Sequence, residues 1–493
     1  MLNVIFGENM QNKNIEITER FEPINLLDPS IAYGVLDEAR KLGANFADIF
    51  IEHHTRNVID ILSGKVHEVD GGIDFGIGIR LVYGTQVLYG YTNHKDIDEL
   101  IRITRALSTL NKRAPQLDSL PSFNFESPKN IHSTKWTLDK TMGEESDIAK
   151  EKVDYLMSIS NFMLNHDSRI IQAKASVLER LQKVQIFNTE GLHTSDQRQY
   201  CRLLVNAIAS DGKERSDGYE APGSFTGWEM SENYRPEELA AEVTKQALVK
   251  LTADDCPAGK MPVVIDNGFG GVIFHEACGH LLETTSVAKK ASVFHDKMGE
   301  MIASECVSAI DDGTMSNAWG SINIDDEGTP TQKTDLIVNG KLNSFLVDKV
   351  GAMKTGYTPT GSGRRESYKF APASRMRNTF IASGKDKLED MIASIDHGIY
   401  CKKMGGGSVT PGTGEFNFSA QESYLIKNGK VDRPLKSATL IGSGPEVLTK
   451  ISMVGDNLDL AAGMCGSVSG AVPTTVGQPA IKVDNILVGG QSS

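Results

Sequence analysis

The chain has 493 residues, of which 40% are hydrophobic and 23% charged, so it is long enough for two or three domains and is neither fibrous nor disordered. A formal net charge of -13 without a dense Lys/Arg cluster argues against a nucleic acid partner. With no run of about 18 apolar residues and no basic signal-peptide start, we expect a cytoplasmic protein with no membrane partner.

After an extension of residues 1–27, the first predicted unit covers residues 28–112. An N-capping Asp28 followed by Pro29 predicts a helix that ends at Gly43. Segments of alternating polarity then predict an antiparallel meander, and a second helix near residues 97–110 packs on it. The predicted strands of this meander are residues 47–52, 56–62, 65–70, 75–83 and 86–91.

A second α+β unit, residues 130–255, follows a Pro- and Ser-containing linker at residues 113–129. Helices are predicted near residues 144–165 and 235–251. Neither unit carries a constellation of chemical groups, and we interpret the neighbours His53 and His54 as a surface pair on a strand. The strands predicted between the two helices are residues 170–178, 182–188 and 198–211.

Residues 256–493 form a third, strand-rich unit. Residues 261–266 read as a buried strand, and the glycines of residues 267–271 form a tight turn that leads into a helix. Two Asn-Gly pairs, at Asn339 and Asn428, predict hairpin turns. The predicted fold is therefore α+β, a helix-and-meander, sandwich-like N-terminal region followed by a strand-rich C-terminal domain.

Two imidazoles and a carboxylate stand close together at the start of that helix, in residues 274–283, which read FHEACGHLLE. His275 and His280 are residue types that zinc prefers, and Glu276 could act as the general base of a zinc hydrolase. Zinc lowers the pKa of a bound water from about 15.7 towards about 7, so a carboxylate can take its proton at neutral pH. The alternative is a chance HExxxH pattern, with both histidines satisfied in the core.

The five-residue spacing of the histidines makes a demand on the backbone. In a regular α-helix, residues five apart point about 140° away from each other, which would prevent both rings from reaching one ion. The segment therefore needs either a π-type widening or a break at Gly279, just before His280.

A catalytic zinc site needs a third protein ligand, and three residues are candidates. Cys278 lies inside the motif, Glu283 lies about one turn beyond His280, and Cys465 lies far along the chain in a glycine-flanked loop. The residues alone do not separate these three. The six cysteines are otherwise scattered without a CxxC pair, which indicates buried thiols rather than disulfides.

The HEACGHLLE segment resembles the TldD/PmbA family of zinc metallopeptidases, in its TldD, HExxxH-bearing branch. This resemblance implies a zinc peptidase in which Glu276 is the base and Cys465 joins His275 and His280 on the metal. The agreement continues in order through residues 363–367, 372–378, 398–400, 405–407, 414–418, 438–445, 463–466 and 472–490.

The resemblance also implies partners. It predicts a homodimer, or a heterodimer with a related subunit that lacks HExxxH, and unfolded or flexible peptides as substrates. Gly405, Gly406 and Gly407 are candidates for an edge that pairs with the peptide main chain. One departure stands out, because Ser467 and Gly470 lie where the family usually has a Lys and a Gln after the metal cysteine.

The missing lysine leaves the substrate without an obvious positive group. Arg364, or its neighbour Arg365, could supply that charge near the substrate, although the more usual interpretation of either residue is a structural ion pair.

Two other functions compete with a peptidase. The chain could be a non-catalytic, metal-stabilised subunit that only holds peptides, or a metal-dependent amidase acting on a peptide-derived small molecule. Glu276 favours an enzyme, because a structural zinc site is normally closed by four protein ligands and needs no base.

Overall fold

The computed structural model describes residues 23–111, 120–132, 134, 135, 138, 146–410, 412–436 and 438–490. Residues 1–22 of the predicted extension, much of the predicted linker and the first residues of the predicted helix 144–165 lie outside this part of the chain. The chain mixes helices and strands throughout, which confirms the predicted α+β class. No helix in the described part of the chain combines the length and the apolar character needed to cross a bilayer.

The N-terminal half is built on one eight-stranded sheet. Its strand order is β3-β2-β1-β5-β6-β4, and β7 and β8 also pair with β6. The strands are β1 Phe46–Leu62, β2 Lys65–Tyr83, β3 Gln86–Thr92, β4 Asn124–Phe125, β5 Ile170–Asn188, β6 Leu192–Ser210, β7 Arg215–Glu220 and β8 Gly223–Ser224. The helices are α1 Pro29–Lys41, α2 Ile97–Ser108, α3 Ser146–His166 and α4 Pro236–Leu251.

Several strands are longer than the sequence pattern predicted. Breaks were expected near His53, in β2 and within β5, but each of these strands is continuous because neighbouring strands pair with it over its full length. Several polar residues in β1 and β5 are buried and bonded. Glu52, for example, accepts hydrogen bonds from Gln182 Nε2 at 2.8 Å and from the Tyr368 amide at 2.8 Å.

The central pairing of β1 with β5 joins the two N-terminal segments, residues 28–112 and 130–255, in one sheet. One face of this sheet packs against the four helices named above. Ile49 and Ile51 lie under α1 and α2, whereas Ile59 and Ile61 lie under α3 and α4. Alternate residues of β1, such as Phe50, face the C-terminal half, so the centre of the sheet is buried on both sides.

The C-terminal half contains sixteen further strands and five short helices among the described residues. Its strands are β9 Asp254–Asp255, β10 Gly259–Ile265, β11 Ala309–Asp312, β12 Lys333–Val338, β13 Lys341–Leu342, β14 Gly363–Arg364, β15 Ala373–Ser374, β16 Asn378–Ile381, β17 His397–Thr410, β18 Glu415–Lys427, β19 Lys430–Lys436, β20 Thr439–Ser443, β21 Ile451–Val454, β22 Asp459–Ser467, β23 Gly470–Gln478 and β24 Ile481–Gly489. Its helices are α5 Val272–Ala277, α6 Thr284–Val287, α7 Lys349–Thr355, α8 Leu388–Ala393 and α9 Gly444–Thr449.

These strands form two main sheets with α5 between them. In the first, β17, β10, β24, β20 and β18 follow one another, and a β17–β18 pairing closes them into a ring. The second has the order β13-β12-β11-β16-β23-β22. Helix α5 contacts β17 and β18 of the ring and β16 and β23 of the second sheet. The HExxxH segment is thus held from two sides.

Both Asn-Gly hairpins are confirmed. Asn339 and Gly340 have φ angles of 49° and 79° between β12 and β13, and Asn428 and Gly429 have φ angles of 50° and 70° between β18 and β19. Positive φ at both central residues is the backbone that these turns require.

Candidate metal centre

The buried strand β10 delivers the chain to α5 through a glycine turn, as the sequence predicted. Strand β10 lies between β17 and β24, and Gly268 in the turn has a φ of 67°. At Gly271 the need for glycine is steric, because a Cβ there would lie 2.3 Å from the Gly477 carbonyl oxygen. The close approach fixes the start of α5 against β23.

A break in the helix meets the demand set by the histidine spacing. Helix α5 ends at Ala277, Cys278 has φ -130° and ψ -50°, and residues Gly279–Leu282 form a 3₁₀ turn. No π-type widening is involved. The break brings the His275 and His280 rings to a centroid distance of 5.2 Å. Gly279 allows the turn to pack closely, since a Cβ there would lie 2.2 Å from Met376 Sδ.

Both histidines face the sulfur of Cys465. His275 Nε2 lies 3.2 Å and His280 Nε2 lies 3.3 Å from Cys465 Sγ. Nitrogen and sulfur atoms of the three residues all lie within 4.8 Å of one another, and no other group of this kind occurs in the described residues. The predicted loop position of Cys465 was wrong, because Cys465 is in β22 and pairs with Val472 of β23.

The surroundings of the three side chains favour a negatively charged sulfur at Cys465 and a positively charged imidazole at His280. Burial opposes ionisation of Cys465, but the charges and hydrogen bonds of His275 and His280 outweigh it and lower the pKa of the thiol to about 3. Burial likewise disfavours the charged form of His280, but Glu283 and Cys465 raise the pKa of this imidazole well above its usual value. In the metal-free protein the sulfur is therefore a thiolate, the form in which cysteine binds metals.

Glu276 lies beside this cluster. One of its carboxylate oxygens is 3.7 Å from His280 Nε2, and its side chain is 29% exposed. A carboxylate in this position lies beside one of the converging nitrogens and is still open to an incoming molecule.

The other two candidates for a third ligand have different surroundings. Cys278 is fully buried in the apolar core, where burial raises the pKa of its thiol. Glu283 accepts a hydrogen bond of 3.0 Å from Nδ1 of His280, the nitrogen on the opposite side of the ring from Cys465. Of the three candidates, only Cys465 approaches both histidines.

Comparison with known proteins identifies the family. Three family models match consecutive parts of the chain: PmbA/TldA metallopeptidase domain 1 at residues 47–108, the central domain at residues 144–251 and the C-terminal domain at residues 258–490. A protein of Buchnera aphidicola named metalloprotease TldD homolog is 35% identical over 485 residues, which cover 96% of this chain and 99% of the relative.

The chain belongs to the TldD/PmbA metallopeptidase family. A more distant relative, from Saccharolobus solfataricus, is 25% identical over 92% of this chain and 99% of its own length, and it is named zinc metalloprotease TldD homolog. The fold is that of a crystal structure from Thermotoga maritima, with a TM-score of 0.76 and 20% identity over 94% of this chain and 100% of that chain.

The four predicted substrate residues lie on two strands, Arg364 on β14 and the three glycines on β17. Arg364 is buried, and its guanidinium donates to the carbonyl oxygens of Met376 and Pro473, both at 2.7 Å. Arg364 therefore supports the backbone at these two positions. The structural role considered from the sequence was an ion pair, whereas the partners in the structure are carbonyl oxygens.

Gly405, Gly406 and Gly407 lie within β17, where its register against β18 shifts. Gly406 is exposed and has no atom within 4 Å of the position of a Cβ, whereas a Cβ on Gly407 would lie 2.1 Å from the Asn417 carbonyl oxygen. On its other edge, β17 pairs with β10 only through residues 399–401, and no described strand continues that pairing. The glycines therefore stand on a strand with an open edge.

Two residues missed in the sequence hold the hairpin that carries Cys465. Arg375, fully buried, donates to the Cys465 carbonyl oxygen and, at 2.9 Å, to Ser469 Oγ. Glu366 accepts a hydrogen bond of 2.7 Å from the Ala471 amide. Both lie in segments that carry the family resemblance, so that resemblance was the available signal.

Proposed function

We propose that this chain is a zinc-dependent peptidase that hydrolyses peptide bonds in small or unfolded peptides. The observation that carries the proposal is the convergence of His275, His280 and Cys465 within 4.8 Å, with the Glu276 carboxylate 3.7 Å from His280 Nε2. Two imidazole nitrogens and a thiolate are a donor set that fits zinc, and three protein ligands leave a position open for a reactant. The name of the Saccharolobus relative agrees with this choice of metal.

The metal ligands and the general base have separate tasks in the proposed reaction. His275, His280 and Cys465 would hold zinc, which when bound supplies Lewis-acid activation of water and of the scissile carbonyl. Glu276, partly exposed, accepts the proton of the attacking water and passes it to the leaving amine as the peptide C–N bond breaks. The apolar packing around α5 keeps these groups in place.

The open edge of β17 supports an extended peptide as substrate. A main chain lying along this edge would find unpaired backbone groups near Gly405, Gly406 and Gly407, and exposed glycines permit close approach. Recognition through the main chain requires an extended segment, which an unfolded peptide provides and a folded protein does not.

Two other functions were weighed beside the peptidase. A peptide-holding subunit without activity would not need Glu276, whose proximity to the cluster favours an enzyme. An amidase acting on a peptide-derived small molecule would use the same residues and would differ only in its substrate.

We further propose that the chain works as a homodimer or as a heterodimer with a related subunit lacking HExxxH, as the family resemblance suggests.

Replacing Glu276 with alanine tests the reaction. The variant Glu276→Ala should keep its zinc, measured by elemental analysis, because the three proposed ligands are intact. Hydrolysis of a labelled unfolded peptide should fall by roughly 10²–10⁴-fold, because the general base is lost. The exposed Glu300, which pairs with Lys297, supplies the control Glu300→Ala, with unchanged hydrolysis.

Undiminished hydrolysis by Glu276→Ala would reject the mechanism. Hydrolysis of small amides by the wild-type protein, with no cleavage of peptides, would instead select the amidase.

A further inference from the structure

The two histidines of the centre are oriented by different means. His275 lies on the regular turn of α5, is 2% exposed, and has an Nδ1 atom with no hydrogen-bond partner in the described part of the chain. His280 follows the break, and its side chain is 20% exposed. Its Nδ1 atom lies 3.0 Å from Glu283 Oε2. The backbone and tight packing fix the first ring, whereas a carboxylate contacts the second.

Glu283 is itself held rigidly. It is 2% exposed, and the residues on either side of it are anchored to one neighbouring segment. The Leu346 amide donates to the Leu282 carbonyl oxygen and the Thr284 amide donates to the Leu346 carbonyl oxygen, both at 2.9 Å. The side chain of Thr284 is also fixed, through a hydrogen bond of 2.8 Å to Asp348. The carboxylate therefore presents a fixed acceptor to the imidazole.

The contact decides which nitrogen of His280 carries a proton. A neutral imidazole has one N–H and one lone pair, and a carboxylate beside Nδ1 favours the N–H on that side. When His280 gives up its second proton to bind a metal, the lone pair then lies on Nε2, which faces Cys465 at 3.3 Å. A carboxylate hydrogen bond on the far side of a ligating imidazole also makes the ligand more basic. The second oxygen of Glu283, Oε1, is buried with no hydrogen-bond partner among the described residues, so no other hydrogen bond through that atom competes with the contact to His280.

We propose that Glu283 is a positioning residue that sets the tautomer and the orientation of His280 for metal binding, compensating for the helix break that separates this histidine from α5. The proposal rests on the proposed zinc function. It assigns to Glu283 a role through the ring of His280 rather than contact with the metal or the substrate.

The test compares two variants of similar size. Glu283→Gln keeps an oxygen that accepts from Nδ1 but loses the charge, and Glu283→Leu loses both. Zinc dissociation constants are measured on the full-length protein by competition with a chromogenic chelator. Glu283→Leu should bind zinc about 10–100-fold more weakly than wild type, with Glu283→Gln in between. Glu179, a buried glutamate that pairs with Lys152 in the N-terminal half, provides the control Glu179→Gln, with unchanged affinity.

A spectrum separates positioning from a general loss of stability. In cobalt-loaded protein, the thiolate charge-transfer band should persist in both variants because Cys465 is intact. The ligand-field bands should change in Glu283→Leu and return towards the wild-type spectrum in Glu283→Gln. A purely structural role would lower the melting temperature of both variants without this graded recovery.

The outcomes also separate this inference from the proposed function. Wild-type protein that fails to bind zinc would reject the function itself. Wild-type protein that binds zinc, with Glu283→Leu binding equally tightly, would overturn only the role of Glu283. If Glu283→Leu does not fold, the variant Glu283→Asp replaces it in the test. Its shorter side chain keeps the charge but withdraws the carboxylate from Nδ1 of His280. A zinc affinity equal to that of wild type in Glu283→Asp would overturn the proposal.

Discussion

Cys465 differs from the other cysteines of the chain in the charges around its sulfur. Burial raises the pKa of Cys256 to about 11, and it raises the thiol pKa of Cys201, Cys278 and Cys401 as well. Cys465 is equally buried, but two imidazoles contact its sulfur. A similar degree of burial therefore produces opposite shifts, because the neighbouring groups differ.

A titration of the metal-free protein tests this difference. Since the pKa of Cys465 is lowered to about 3, its sulfur should stay a thiolate throughout the neutral range and take up a proton only as the pH falls towards that value. The ultraviolet absorbance of thiolate, compared between wild type and Cys465→Ser, reports this ionisation. A difference spectrum that appears only near a pH of about 8.5, the usual thiol pKa, would contradict it.

Helix α5 shows how far an element could be predicted from sequence. The order of strand, glycine turn and helix followed from apolar runs and turn residues, and the need for a distortion followed from the five-residue spacing. The form of the distortion did not follow, because it depends on Met376, which packs against Gly279 from a distant part of the chain. The placement of Cys465 required the family resemblance, since no local pattern reports a contact with a remote helix.

Gly271 gives the prediction for this element. In Gly271→Ala the new methyl group would overlap the Gly477 carbonyl oxygen, so α5 must shift away from β23. We expect a loss of about 1–3 kcal/mol in the free energy of unfolding and weaker zinc binding, because His275 moves with the helix. Melting temperature and zinc titration measure the two effects.

The matched control is Gly406→Ala, where nothing lies within 4 Å of the new atom. It should melt and bind zinc as wild type does. If Gly271→Ala and Gly406→Ala have the same melting temperature and zinc affinity, the close packing of α5 against β23 does not limit the side chain at position 271.

At the scale of the whole molecule, buried charges join the N-terminal sheet to the C-terminal half. Arg80 of β2 is fully buried, with its guanidinium 3.0 Å from Asp48 of the same sheet and 2.7 Å from Glu327 of the C-terminal half. Arg198 of β6 contacts Asp326 in the same way, at 2.5 Å. Sequence patterns did not reveal this contact surface, because alternating polar residues normally indicate a strand face in water.

Removing Arg80 should therefore destabilise the junction of the two halves. Arg80→Met leaves two buried carboxylates without their partner, and we expect a loss of about 3–5 kcal/mol in the free energy of unfolding. Urea unfolding followed by circular dichroism measures the shift. The control is Arg102→Met, which removes an exposed pair with Glu99 and should leave the midpoint unchanged. Equal midpoints for the two variants would show that the buried pair contributes little.

The route of the chain through the centre has a consequence for the order of assembly. His275 and Cys465 are 190 positions apart, and they lie on a helix and a hairpin strand from distant parts of the chain. A zinc ion held by both would cross-link a helix to a segment synthesised much later, closing a very long loop. On the proposed function, a growing polypeptide that has exposed only its two histidines cannot yet cut its neighbours, and hydrolytic capacity arises only once Cys465 has also been synthesised.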